Sequence, residues 1–523
     1  MKNELDELKA KYASYSVDEF VALIAKLEGQ LSHFKSLLFA SKKERFISDP
    51  PGMNNMFDEI EDILAKVEKE KTAGDCEEDL IEVKGHKKKR GKRSPLPDNL
   101  PRVRVEVDLD PSQKVCSIHN VSLEKIGETV TEKLEIVPSS VHIVEEAVLR
   151  YQCPCCSADG LKVVAAERAP DLIPKSFATP SLLAYITVAK YEDALPLYRQ
   201  EKIFDRLSIG LDRTTMARWM IATAEACQPL INLMQDDLLE TPVVHCDETP
   251  VQVLKEPNRR PEQKSYMWCL ARQGDSPIIL FRYFEKRDKK AVENLLAGYA
   301  GVLVCDGYKV YDSLAMSEDC TVAGCMAHCR RKFFAAEKAA NQAGTKGVKA
   351  IASTALGFIR QLYAIEKSIK GEDPSQILKF RTEKSVPILA TFHKWLEEQA
   401  TVVLPKSPTG KAISYTINQW AKLNYYASDG AVPIDNNYLE GHLRPFVVGR
   451  KNWMFSASVR GADASASLYS LTESAKANGI QPYAYLKLIF KELPKAAVTD
   501  DYHRLLPHKV KNHFNLASYT IPT

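Results

Sequence analysis

The 523-residue chain has no uninterrupted apolar stretch approaching the ~18 residues of a membrane-spanning helix, and no apolar segment follows Met1. Neither a membrane-embedded nor a secreted protein is expected; a cytoplasmic one is. An excess of one charge sign is also missing. The 71 Lys and Arg against 68 Asp and Glu leave a net charge of +3, so attraction for a polyanion must come from local patches. Cysteine is too sparse for a disulfide framework: the 12 are scattered, mostly at the ends of strand-like runs, with one tight cluster, which suits a reducing compartment. No internal repeat is present. At roughly 100–200 residues per domain, the length implies several domains with ample core.

Three carboxylates stand out from this background. Asp247 closes the apolar run Val243-Val244-His245-Cys246, and Asp306 closes Val302-Leu303-Val304-Cys305. Short Val/Leu stretches that stop at an acid predict buried strands delivering a carboxylate to a sheet edge. Glu440 follows Pro433-Ile434-Asp435-Asn436-Asn437-Tyr438-Leu439, where Asp435 or Asn436 can cap a helix that then presents the acid. Taken singly, each has a plain alternative: a turn or cap for the aspartates, a solvated helix residue for Glu440. Jointly they form the hard-oxygen set of a two-magnesium (or manganese) phosphoryl-transfer site, in which the ions clamp attacking and leaving oxygens. The neighbouring acids Glu248, Asp312 and Asp435 are assigned to supporting or capping roles.

The chain divides into six regions. Residues 1–47 carry Phe20, Ile24, Leu27, Leu31, Phe34 and Leu38 on one seam, a coiled-coil pattern expected to make a homo-oligomer; an amphipathic helix docked on its own domain is the alternative. Residues 48–102 form a charged linker whose basic arm includes Lys88 and Arg90, either a solvated tether or a contact for phosphates. Residues 103–165 hold Cys116-x-x-His119 and Cys153-x-x-Cys156, two ligand pairs across an expected hairpin of 134–137 and 141–144; together they supply four ligands for structural zinc, with Cys155 able to replace a neighbour. Residues 166–240 are helical: a helix over Leu197–Arg206 and another capped by Asp212 make a helix-turn-helix-like pair that offers Arg213 and Arg218 to DNA, or an ordinary helical hairpin. From 241 to 478, three strands, a helix and another strand precede a polar helical insertion of about 335–424 and the segment bearing Glu440. The last helix there stops at Asn478-Gly479, and 479–523 form a helical tail.

Further candidates flank the acids. His328 of Cys325-x-x-His328 is placed as a catalytic support that orients the scissile strand or a ligand; a packed structural histidine is the alternative, and no second metal-ligand pair lies near it in sequence. Arg330, Arg331 and Lys332 follow it as phosphate contacts. Arg444, Arg450, Lys451 and Trp453 interleave cations with an aromatic, a pattern suited to clamping a DNA backbone and stacking on an unpaired base.

The segments His245–Val251, Val304–Tyr308 and Asp435–Pro445 together resemble the three catalytic blocks of the insertion-sequence sixty-six (TnpC-type) transposases. Val448–Phe455, Leu468–Leu471, Lys190–Gln200 and Phe39–Phe46 are similar to the same family, so the likeness runs co-linearly through nearly the whole chain. The resemblance implies a multidomain α+β/α/β protein with a ribonuclease-H-like catalytic core. It further implies an acidic-triad transposase acting on double-stranded DNA, at element ends and target, with possible accessory proteins encoded by the element. Two departures are visible: the family commonly has cysteine where His119 stands, and often arginine where Gly441 stands.

Overall fold

A computed structural model describes residues 141–152, 163–313, 320–343 and 346–514. They fall into two compact units that part near residue 168. In the first, β1 (Arg150–Gln152) pairs antiparallel with β2 (Val163–Ala165), and the Ala166 amide donates to the Leu149 carbonyl at 3.0 Å. The expected strand at 141–144 is absent: this stretch is irregular, and Ile143 is 91% exposed. Alternation produces a strand only where a partner and a buried face exist, and its expected partner, 134–137, lies outside the described residues. So do Cys116, His119, Cys153, Cys156, Lys88, Arg90 and the N-terminal seam.

The second unit begins with four helices, α1 (Pro180–Tyr191), α2 (Leu197–Arg206), α3 (Arg213–Ala226) and α4 (Gln228–Leu239). Their starts follow local chemistry. The Thr179 hydroxyl accepts from the Leu182 amide, and Pro180 takes the first helical position, where its missing N–H costs nothing. Asp212 caps α3 by accepting from the Thr214 and Thr215 amides at 2.7 and 2.9 Å. Arg213 and Arg218 are exposed on α3, while Met216, Trp219 and Met220 are buried.

A mixed sheet follows. It is built from β3 (Val243–Lys255), β4 (Lys264–Arg272), β5 (Ile278–Phe284), then α5 (Lys289–Leu295), β6 (Gly301–Cys305) and β7 (Cys320–Gly324). The order is β5-β4-β3-β6-β7, with β5, β4 and β3 antiparallel and β3, β6 and β7 parallel. One expectation needs correcting. β3 does not stop at Asp247 but runs on to Lys255, because β4 pairs with it from His245 to Gln252. Asp247 is therefore set at mid-strand, just beyond the last β3–β6 pair (His245 opposite Val304).

Between the sheet and the Glu440 helix the chain is helical: α6 (Met326–Ala343), α7 (Lys346–Ser368), α8 (Pro374–Phe380), a π turn (Arg381–Ser385), α9 (Val386–Val402), α10 (Pro408–Asn418) and α11 (Trp420–Asn424). These helices share a core with the parallel strands. Val302, Val304 and Ala323 pack with Met326, Phe333, Ile359, Phe392 and Ile413, each large side chain contributing roughly 1.5–3 kcal/mol on burial. Arg381, 3% exposed, donates to the carbonyls of Tyr426, Asp429 and Val432 and forms a two-pronged pair with Glu366. It thereby organises the loop that leads to α12 (Asn437–Trp453). Gly430 in that loop lies so close to the Pro374 carbonyl that any Cβ would clash.

β8 (Ser456–Ser458) then pairs parallel with the far end of β3. α13 (Val459–Ala477), α14 (Pro482–Glu492) and α15 (Thr499–Arg504) follow. Asn478 and Gly479, with φ +64°, end α13 as their order predicts. α13 is buried along nearly its whole length and lies against β5, where Ser474 and Ser470 accept from the Ile279 and Phe281 amides at 2.8 and 2.7 Å. It also packs on α3, and α14 packs on α1, so the N-terminal helices and the sheet belong to one body. Among the described residues no helix is long and apolar enough to cross a membrane.

Candidate metal and nucleic-acid site

The parallel register brings the two aspartates together. Two residues beyond the His245–Val304 pair, β3 reaches Asp247 and the chain leaving β6 reaches Asp306. Asp306 Oδ1 accepts from the Tyr308 amide at 2.9 Å. Gly307 is there for close approach rather than for a turn, since a Cβ would stand 2.7 Å from the Tyr415 hydroxyl. Asp247 is 8% exposed, and its Oδ1 accepts from the Glu248 amide at 2.8 Å. Burial, then the charges of Glu248, Asp306 and Glu440, push its carboxyl well above the usual range.

Glu248 is supported from the other side. Tyr311 donates to its Oε2 at 2.6 Å and Arg287 pairs with its Oε1. The Arg287 guanidinium stacks 3.6 Å over the Tyr308 ring and reaches within 3.8 Å of Asp306. Burial outweighs Arg287 and lifts the Glu248 carboxyl to about 7.

Glu440 arrives on the first turn of α12, which lies against β3 and β4. Its approach is fixed by Asn436, fully buried, whose side chain donates to the Cys246 carbonyl at 3.0 Å and meets His245 Nδ1 at 2.7 Å. The Asn436 side chain is thus turned to β3 and makes no cap at the N-cap position it occupies, while the preceding Asp435 accepts from the Asn437 amide at 3.0 Å. The Asn436 amide donates to Cys325 Sγ at 3.2 Å, and the Met326 amide to the Ile434 carbonyl at 3.0 Å. These bonds tie the start of α12 to both β3 and the start of α6. Glu440 itself, 6% exposed, pairs with Arg331 at 3.0 Å, while His328 Nδ1 stands 3.7 Å from its Oε1.

Four acids, Asp247, Glu248, Asp306 and Glu440, thus interact in one place. Arg287 and Arg331 answer Glu248 and Glu440, whereas Asp247 accepts from the Glu248 amide. Carboxylate oxygens crowded out of water fit a small hard dication, which would supply the missing positive charge.

The expected DNA contacts separate into two groups. Arg330 and Lys332 on α6, and Arg444 and Lys451 on α12, are exposed, with Lys332 Nζ 4.3 Å from the Tyr415 ring. Arg331, Arg450 and Trp453 are engaged internally. Arg450 donates to Thr249 Oγ1 at 3.1 Å and to the Pro250 carbonyl, and Trp453 packs edge-on against Phe446 with ring centres 5.5 Å apart. Past Trp453 the Phe455 amide closes a γ-turn onto the Trp453 carbonyl at 2.8 Å, with Met454 at φ +66°, and leaves Met454 and Phe455 exposed. Arg287, Tyr311 and Cys325 were not expected at the site as partners of the acids. Arg287 sits in the run Glu285-Lys286-Arg287-Asp288-Lys289-Lys290, whose local pattern is that of a solvated surface.

Comparison with known proteins gives a consistent picture. Residues 175–464 match the family model described as Transposase IS66 family, residues 470–508 the IS66 C-terminal element, and residues 26–105 the model described as Transposase C of IS166 homeodomain. Similar full-length proteins are known from Sinorhizobium fredii. The uncharacterized protein y4jD is 27% identical over 96% of this chain and 97% of its own length. The uncharacterized protein y4qI is 30% identical over 90% and 86%, and y4hP, also uncharacterized, 28% over 93% and 89%. With its sheet, its acidic blocks and the region C-terminal to them all inside matching segments, this chain belongs to the IS66 family of transposases.

Proposed function

We propose that the protein is a DNA transposase that cuts at the ends of its element and joins the freed 3′ hydroxyls to target DNA by direct transesterification, with no covalent enzyme intermediate. The convergence of Asp247 and Asp306 on adjacent parallel strands with Glu440 from α12 carries this reading. The sheet order, three antiparallel strands followed by two parallel ones, supports a ribonuclease-H-like core. Asp247, Asp306 and Glu440 would hold magnesium or manganese. Bound there, a pair of such ions supplies a charge clamp on the attacking and leaving oxygens.

The chain's own residues do the positioning. Arg287 and Tyr311 hold the Glu248 carboxylate in place beside Asp247. Arg331 orients the Glu440 carboxylate, and His328 stands beside it as a support for the scissile strand. Exposed Arg330, Lys332, Arg444 and Lys451 would meet phosphates, each such contact adding a salt-sensitive increment to affinity. Structural zinc on Cys116, His119, Cys153 and Cys156, and self-association through the N-terminal seam, complete the proposal.

The test uses purified full-length protein, labelled element ends and Mg²⁺, with cut and joined products mapped. Wild type should yield both. Asp247→Asn should lose about a thousandfold or more of cutting, the scale of removing an essential charge-stabilising group, while keeping DNA affinity. Joining that persists in Asp247→Asn rejects the assignment. Cut ends that never join indicate a nuclease instead, and DNA binding without cutting at any metal concentration indicates a regulator.

A further inference from the structure

One group of donors at the site is not made of oxygen alone. Cys325 Sγ, a ring nitrogen of His328 and a carboxylate oxygen of Glu440 all lie within 4.8 Å of one another. Their placement is enforced by the backbone. Cys325 is the link between β7 and α6, His328 sits in the first turn of α6, and Glu440 sits in the first turn of α12. The Met326–Ile434 and Asn436–Cys325 bonds hold the two helix starts together.

His328 Nδ1 and Glu440 Oε1 face each other across 3.7 Å, both atoms are buried, and neither has a hydrogen-bond partner. Buried polar atoms are rarely left so, and an ion between these two would satisfy both. A thiol, an imidazole and a carboxylate are the donors of zinc and related borderline-soft ions, whereas magnesium takes oxygen. Metal–ligand bonds of about 2.0–2.3 Å call for a contraction of roughly 1 Å among these atoms.

We propose that Cys325, His328 and Glu440 form a three-ligand site for zinc or another thiophilic dication, with its fourth position open, and that filling it withdraws Glu440 from the oxygen-ligated metals and stops strand cutting. On binding, the Cys325 thiol releases its proton to solvent, a sulfur–metal bond forms, and no electron is transferred. The inhibitory half rests on the reading of Glu440 as a catalytic ligand; the binding half does not.

Both halves can be tested on the full-length chain, stripped by chelator and titrated with Co²⁺. Wild type should show a thiolate-to-cobalt charge-transfer band and take up one ion per chain more than Cys325→Ser. Serine keeps an acceptor for the Asn436 amide, and unchanged circular dichroism verifies the fold. Cobalt affinity at this site should fall by about a hundredfold or more in Cys325→Ser, since even outer-shell losses reach that scale, and Asp247→Asn should retain it. Equal stoichiometry and equal spectra in wild type and Cys325→Ser overturn the site. Zn²⁺ added to a Mg²⁺-supported cutting reaction should then inhibit wild type at concentrations that Cys325→Ser tolerates. Equal inhibition of both overturns the inhibitory role. Whether Asp247→Asn still cuts is a separate result that bears only on the transposase reading.

Discussion

The two aspartates and the glutamate are put in place by different means. Asp247 and Asp306 owe their position to sheet register: once β3 and β6 pair in parallel, the aspartates must come side by side whatever their neighbours are. Glu440 owes its position to side chains. Asn436, Cys325, Arg331 and, farther back, Arg381 hold its helix and its carboxylate through bonds that span up to 191 positions of sequence. Backbone pairing tolerates substitution, because every residue carries the same amide and carbonyl. Side-chain anchoring does not, so the glutamate half of the site should be the more fragile under mutation and the easier to displace.

The sharpest way to break that contrast is Arg381→Met. It removes the donor to three carbonyls and leaves the largely buried Glu366 without its partner, so a loss of about 3–5 kcal/mol is expected in urea unfolding. A loss below about 1 kcal/mol, the scale of a single ordinary hydrogen bond, would mean that the loop before α12 is fixed by something else. Asn436→Leu comes next. It strands the Cys246 carbonyl and His245, at roughly 1–3 kcal/mol, and should weaken Mg²⁺ binding, measured calorimetrically, more than stability alone explains. Unaltered Mg²⁺ affinity in a folded Asn436→Leu protein would show that Glu440 does not depend on this tether. The smallest effect is expected at Gly441, where an added Cβ meets nothing within 4 Å. Gly441→Ala should raise the unfolding free energy by about 0.8–1 kcal/mol through helix propensity, with cutting unchanged. A drop in stability there would contradict the open surface that the structure gives this position.

The same contrast explains what could be seen in the sequence. Features governed by near neighbours were legible: the Leu197–Arg206 helix, the Asp212 cap, the Asn478-Gly479 stop, and the order of three strands, a helix and a strand. The extent of β3 was not, because Asp247 looks like an end until β4 is known to pair past it. Arg287 and Arg331 could not be assigned to Glu248 and Glu440 either. Each sits in a run of charges that looks solvated, and its partner lies 39 or 109 positions away. Arg450 and Trp453 were expected to face DNA because they follow Glu440 closely. Helical periodicity instead turns them toward β3 and Phe446, leaving Arg444 and Lys451 outward.

The pairing of Ser470 and Ser474 with Phe281 and Ile279 bears on how copies of this protein can meet. An outermost strand ordinarily offers a ladder of amides and carbonyls that a second molecule can extend. Here two hydroxyls, one helical turn apart, take the place of a neighbouring chain at β5 and close that margin from within. Joining two molecules into a continuous sheet across Ile279 and Phe281 would first require α13 to be peeled away.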